Sequence, residues 1–310
     1  MVGSSSFVVG RWAALAILVA VAVDSALAPE QEENPYVVVL GVAQDGGVPQ
    51  VGDKDLERWD DATRHRRVTS LALVDPRTGR RWLFDATPDL PEQLVELDRV
   101  APHLETPGLD GVFLSHAHIG HYTGLMFFGH EAIGASRVPV YAMPRMREYL
   151  SSDGPWDQLV RYENIELREL ADGQAVQLAA DLSVTPFRVP HREEYSEVVG
   201  FRIDGPERSL LFIPDIDSYD DWAGAGTRIE DVLRTVDVAY LDGTFWANGE
   251  IEGRDMSASC AVGVWAPVWY PGVSGRCPPM FRLYQAARRA SAKRSAIQAC
   301  SSFMIRFSSR

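Results

Sequence analysis

Ser115-His116-Ala117-His118-Ile119-Gly120-His121 places three of the chain's seven histidines within six residues. The apolar run Gly111-Val112-Phe113-Leu114 comes just before and reads as a buried strand. Tyr122-Thr123-Gly124-Leu125-Met126-Phe127-Phe128 follows and reads as the first turns of a packed helix. The histidines therefore sit where a strand ends and a helix begins. His116 and His118 are two apart, which at a strand end puts both rings on one side. His121 projects from the helix start. Imidazoles gathered this way suit zinc or another first-row metal that accepts nitrogen ligands. Three unrelated surface or core histidines are the alternative, and the density of the cluster argues against it.

The run His116–His121 resembles the His-x-His-x-Asp-His signature of the metallo-β-lactamase superfamily. Gly120 stands where that family usually has aspartate. The elements on both sides strengthen the likeness. Tyr36–Gly41 is a β-branched run and a first strand. Val42-Ala43-Gln44-Asp45-Gly46-Gly47-Val48-Pro49-Gln50 follows, and its paired glycines let backbone come close to a ligand or another loop. By itself this stretch reads as a turn. In context it resembles the opening of pyrroloquinoline-quinone biosynthesis B-type and phosphodiesterase-like members of the superfamily. Those commonly carry a cysteine soon after the Pro-Gln pair; here Asp53 stands near that place.

Val68–Val74 alternates like a strand, residues 76–80 form a turn, and Arg81–Asp85 is the return strand. Asp85-Ala86-Thr87-Pro88-Asp89 opens a helix over Leu90–Val100, with Thr87 or Asp89 as its cap. The resemblance places Asp85 near the metal loop; read from its neighbours alone, it is equally a helix-capping carboxylate. Further strands are expected at Val138–Ala142, Ile165–Leu170, Leu182–Val189, Val199–Ile203, Leu210–Ile213 and Asp237–Leu241, with helices around Pro144–Leu150 and Ile229–Val236.

The resemblance implies an α/β fold, the αββα sandwich of the metallo-β-lactamase type, over about Tyr36 to Ser257. It implies one metal position held by His116, His118 and His191, the histidine at which the strand Leu182–Val189 runs out. Asp215 matches the family's bridging carboxylate, with Asp217 in reserve. His121 and Asp215 would serve a second position and the catalytic step. Asp242 lies on the same loop edge, as a partner of a ligand histidine. A complete pattern carries one more strand and a last histidine. None occurs after His191, so the C-terminal part of the pattern is incomplete. With glycine at 120 and that histidine absent, about one tightly held ion is expected.

Zinc is the expected metal, with iron or manganese as alternatives. The implied chemistry is hydrolysis by a metal-bound hydroxide of a small ester, phosphodiester, lactone or amide. Tyr122, Asp45 and Asp242 are nearby polar candidates for a general acid. Two other readings stand beside it: a non-hydrolytic, iron- or zinc-dependent step of pyrroloquinoline-quinone biosynthesis type, and a binding protein without turnover.

The ends of the chain differ from its middle. Residues 1–28 read as an export signal: Arg11, the apolar run Trp12–Val23, and small residues at Ala26-Leu27-Ala28. The run is shorter than the roughly 20 residues of a spanning helix. A periplasmic or extracellular location follows, or a membrane anchor if the segment is not cleaved. From Ala258 to Arg310 no Asp or Glu occurs. All 43 acidic residues and 22 of the 30 basic ones precede it, a formal −21 against +8 in the tail. This segment reads as a basic interaction tail, or as an ending in a changed reading frame, and is expected to stand apart from the packed domain. The net charge of −13 argues against a nucleic-acid backbone as main partner and leaves a small-molecule substrate.

Overall fold

The computed structural model describes residues 34–243 and the backbone of Phe303–Arg306. The expected export signal and most of the basic tail lie outside the described residues. The strands are β1 (Tyr36–Gly41), β2 (Ser70–Asp75), β3 (Arg80–Phe84), β4 (Gly111–Phe113), β5 (Val138–Ala142), β6 (Ile165–Glu169), β7 (Val176–Ala179), β8 (Leu182–Arg188), β9 (Val199–Asp204), β10 (Ser209–Ile213), β11 (Val238–Leu241) and β12 (Phe303–Arg306). The helices are α1 (Leu56–Asp60), α2 (Leu90–Val100), α3 (Ile119–Tyr122), α4 (Pro144–Ser152), α5 (Trp156–Arg161), α6 (Tyr219–Gly224) and α7 (Ile229–Leu233).

Alternation along the strands builds the layers. Leu71, Leu73, Trp82 and Phe84 face one core, while Ala72, Val74 and Leu83 face another. The first sheet, in the order β12-β1-β2-β3-β4-β5-β6, thus has two apolar faces. One packs against the second sheet, β11-β10-β9-β8-β7, through Val184, Phe201, Ile203 and Phe212. Phe84 stacks on Phe113 at 5.2 Å and meets Phe201 edge-on at 5.3 Å, joining the sheets. The other face receives Leu90 and Leu97 of α2 and Met146 and Leu150 of α4. Behind the second sheet, Leu211, Ile213 and Ala239 take Tyr219 and Trp222 of α6 and Ile229 of α7. Each large side chain buried this way contributes about 1.5–3 kcal/mol. The result is the αββα sandwich.

Strand direction positions the site. β3, β4 and β5 are parallel to one another, and β1 runs the same way because β2 is antiparallel to both β1 and β3. β8 and β10 share a direction because each is antiparallel to β9. Asp45, Asp85, the 115–121 loop, His191 and Asp215 all follow the C-terminal ends of these strands. The two sheets meet at that edge, where Val199 N–H donates to Ser115 O at 3.1 Å.

Three local expectations change. Asp89 stands at the N-cap of α2 without a side-chain cap bond, and Thr87 Oγ1 takes the Asp89 N–H at 3.1 Å ahead of the helix. The Asp89 carboxylate instead takes the Val68 N–H at 2.8 Å. The stretch after α3 is a 3-10 segment, Thr123–Phe128. There Gly124 passes so close to Ala86 and Thr87 that a Cβ would sit 2.1 Å from Thr87 O. The tail is not wholly apart: β12 pairs antiparallel with β1, from Tyr36↔Arg306 to Val39↔Phe303. Among the described residues, no helix is long and apolar enough to cross a membrane.

Candidate metal centre

Short, buried strands end abruptly here, so the polar residues that follow are presented on a rigid rim. His116 and His121 are almost fully buried. His116 Nε2 lies 2.9 Å from His118 Nδ1, which is 3.0 Å from His191 Nε2. Asp215 Oδ2 is 3.1 Å from His191 Nε2 and 3.6 Å from His116 Nε2. The ligand atoms of His116, His118, His191 and Asp215 all lie within 4.8 Å of one another. The structure thus brings together the four residues expected at the first position.

The outward nitrogens settle the tautomers. His191 Nδ1 faces Asp217 Oδ1 at 2.8 Å, and His118 Nε2 faces Glu194 Oε2 at 2.9 Å. His121 Nδ1 faces Asp85 Oδ2 at 2.8 Å. An ionised carboxylate only accepts, so each of these nitrogens donates. Ser115 Oγ donates to Asp85 Oδ2 at 2.9 Å and so accepts from His116 Nδ1, also at 2.9 Å. In neutral His116, His118 and His191 the inward nitrogen is then a lone pair. Lone pairs converging on one point repel unless a cation lies among them.

Three imidazoles suit a zinc position that leaves one place open, and the Asp215 carboxylate stands beside it. Donor atoms sharing one zinc at about 2.0–2.1 Å stand roughly 3.3 Å apart, close to the spacings above. The residues fit a divalent ion.

Without an ion the surroundings keep His116 neutral and favour a charged ring on His121 and His191, whose extra protons a bound cation displaces. Burial pushes the His116 imidazole down to about 3, and the neighbouring His121 cation adds to this. Burial also disfavours a charge on His121, but Asp85 and Asp45 overcome it and hold that ring well above the usual range. For Asp215 burial is outweighed by His116 and His191, which hold its carboxyl well below the usual carboxylate range.

Asp85 is a buried anchor, not a helix cap. It accepts from Ser115 N–H at 2.7 Å as well as from Ser115 Oγ and His121, at a left-handed φ of 64°. A non-glycine residue pays for that backbone geometry, and three hydrogen bonds to the carboxylate hold it there. Asp217, the reserve ligand, orients His191 instead. Asp242 takes the N–H of Ile216 at 3.3 Å and so steadies the loop of Asp215. Tyr122 gives its hydroxyl to a hydrogen bond with Tyr149 at 2.8 Å, and burial pushes that phenol up. Asp53 pairs with Arg58 and bonds the Asp55 N–H.

The second position differs most from expectation. His121 and Asp215 were its only expected donors. The structure adds Asp45: Asp45 Oδ1 is 3.1 Å and Asp215 Oδ2 3.8 Å from His121 Nε2. These three form a second group whose ligand atoms lie within 4.8 Å of one another. Sequence reading placed Asp45 only among polar neighbours, and it did not find Glu194 or Ser115. The one available signal was Asp45's place before the Gly46-Gly47 pair.

The fold and this site define a metallo-β-lactamase-type protein. The family model described as the beta-lactamase superfamily domain matches residues 80–268, and the chain belongs to that superfamily. It is similar to the coenzyme PQQ synthesis protein B of Nitrosococcus oceani, 25% identical over 253 residues, which cover 72% of this chain and 78% of that protein. The coenzyme PQQ synthesis protein B of Cupriavidus taiwanensis is 26% identical over 246 residues, 72% of this chain and 78% of that one. The crystal structure of Zn(2+)-bound PqqB from Methylobacterium extorquens shares the fold, with a TM-score of 0.54 and 23% identity over 67% of this chain and 72% of that one.

Proposed function

We propose that the chain is a zinc-dependent hydrolase of small ester, phosphodiester or lactone-type substrates. The observation that carries this reading is the four-donor group whose outward nitrogens are all tied to partners while Asp215, at 23% side-chain exposure, opens it to solvent. A bound divalent ion supplies a Lewis acid and brings the pKa of a water toward ~7. His116, His118 and His191 bind through Nε2, Nδ1 and Nε2. Asp215 stays ionised at the rim, where its carboxylate is an acceptor for a water beside the ion. His121, pinned by Asp85, presents its Nε2 to Asp45 and Asp215 beside that rim. The acidic body of the chain supports a small-molecule substrate over a nucleic acid.

The test is a screen of aryl esters, aryl phosphodiesters and lactones with zinc-loaded protein, with His116→Ala as control. Turnover lost in the control supports the reading; no turnover on any class counts against it. The PQQ-synthesis relatives favour a second reading, a non-hydrolytic metal-dependent step. Iron rather than zinc in the purified protein, together with a silent screen, would favour that one. Export belongs to the proposal as well; N-terminal sequencing of the mature protein tests it.

A further inference from the structure

The place beside Gly120 is already filled. A Cβ built on Gly120 would lie 2.6 Å from Asp45 Cα, 2.6 Å from its Cγ and 2.7 Å from its Cβ. Any side chain at 120 and Asp45 in its present position therefore exclude one another. The contact is with Asp45's own backbone and the root of its side chain, so rotation of a flexible tip cannot relieve it.

Asp45 is held there by backbone. Val42 and Ala43 N–H both donate to Arg67 O at 2.9 Å. Val48 and Arg66 exchange two backbone hydrogen bonds, at 2.8 and 2.7 Å. Between these clamps Gly47 turns the chain with a φ of 71°, and its N–H closes on Gln44 O at 2.8 Å. The carboxylate meets His121 Nε2, and His121 is fixed from behind by Asp85.

We infer that Asp45, with His121 and Asp215, forms a second divalent-cation position beside the three-histidine one, and that Asp45 supplies from the first loop the carboxylate that Gly120 lacks. One imidazole and two carboxylates make this position richer in oxygen than its neighbour. It accepts harder ions such as Mn²⁺ as well as Zn²⁺. Asp215 Oδ2 faces both His191 Nε2 and His121 Nε2, so it is shared between the two positions.

The inference rests on the metal-centre part of the proposed function and is independent of hydrolysis. Its test counts ions on the full chain by native mass spectrometry and calorimetric titration, with Zn²⁺ and then Mn²⁺ as probes. Wild type is expected to take two ions, and Asp45→Ala and the near-isosteric Asp45→Asn one. The affinity for the second ion should fall by more than the roughly 10- to 100-fold that an orienting partner is worth. His116→Ala separately reports the first position, so a failed three-histidine site is distinguishable from a failed Asp45 site. If Asp45→Asn melts at a lower temperature yet still binds two ions, Asp45 is only a structural partner of His121 and the inference is overturned. A wild type that binds one ion overturns it equally.

Discussion

The two ends of β3 each bury a charge, and they bury it differently. At its start, Arg81 is 1% exposed. Its guanidinium donates to Gly108 O at 2.7 Å, Ala101 O at 2.7 Å, Pro107 O at 3.1 Å and Asp98 Oδ1 at 2.6 Å. The charge is spent mainly on backbone carbonyls that would otherwise lack partners, and the network ends there. Just past the other end, Asp85 is fully buried, but its partners are Ser115 and His121. Through them the network reaches ring nitrogens that face an open rim. A buried charge that closes on backbone serves the fold; one that passes its hydrogen bonds on to ligand side chains orients a site.

The largest expected effect lies at the Asp85 end. His116→Ala and His191→Ala should each lose most of the metal at the three-histidine position, measured by elemental analysis, with little change in circular dichroism. Metal content unchanged in both would break the assignment.

Arg81→Met should do the opposite. Removing the guanidinium leaves three backbone carbonyls without their donor, each worth about 1–3 kcal/mol, so a clear loss in denaturant unfolding is expected. Metal binding by the folded fraction should persist. A stable but metal-free variant would show that the two ends are not separable.

Asp85→Asn keeps the shape and removes the acceptor pattern. It should weaken metal binding by about 10- to 100-fold, as expected for a partner that orients a ligand. A competitive chelator titration measures this, and an unchanged affinity would reduce Asp85 to a packing residue.

The smallest effect is on pH. After chelation, the lowered His116 contributes stability that rises from about pH 3 and is complete above its unfolded value, roughly 6.5. The raised His121 contributes stability that is present below roughly 6.5 and lost as pH climbs through its raised value. The lowered Asp215 and Asp45 contribute stability that disappears only as pH falls through their lowered values. Stability should therefore peak near pH ~6.5 and fall on the alkaline side by up to about 1.4 kcal/mol per pH unit. Asp85 is one of the two carboxylates that raise His121, so Asp85→Asn should flatten the alkaline limb. An equally steep limb in that variant would place its origin elsewhere.

Much of this was legible in the chain. Apolar runs bounded by turn residues placed β2, β3, β5, β8, β9 and β10 close to where they form, because a strand is apolar on every face it buries. The spacing of His116, His118 and His121 marked a candidate metal loop, and hydrophobic strands running out into His191 and Asp215 marked two further donors that the structure brings beside it. Short elements such as β7, α1, α5 and α6 carry too few residues for a period to register. Glu194 escaped notice because its value comes from reaching His118, 76 residues away.

The sequence by itself determined the class of fold and the donor types, since residue chemistry and period are local properties. Only the tertiary structure decided how the donors group. It turned Asp85 from a cap candidate into an anchor, moved Asp217 from reserve ligand to partner of His191, and set Asp45 in the space beside Gly120. Those outcomes depend on which strand ends share an edge, and that is settled by sheet pairing between residues far apart in the chain.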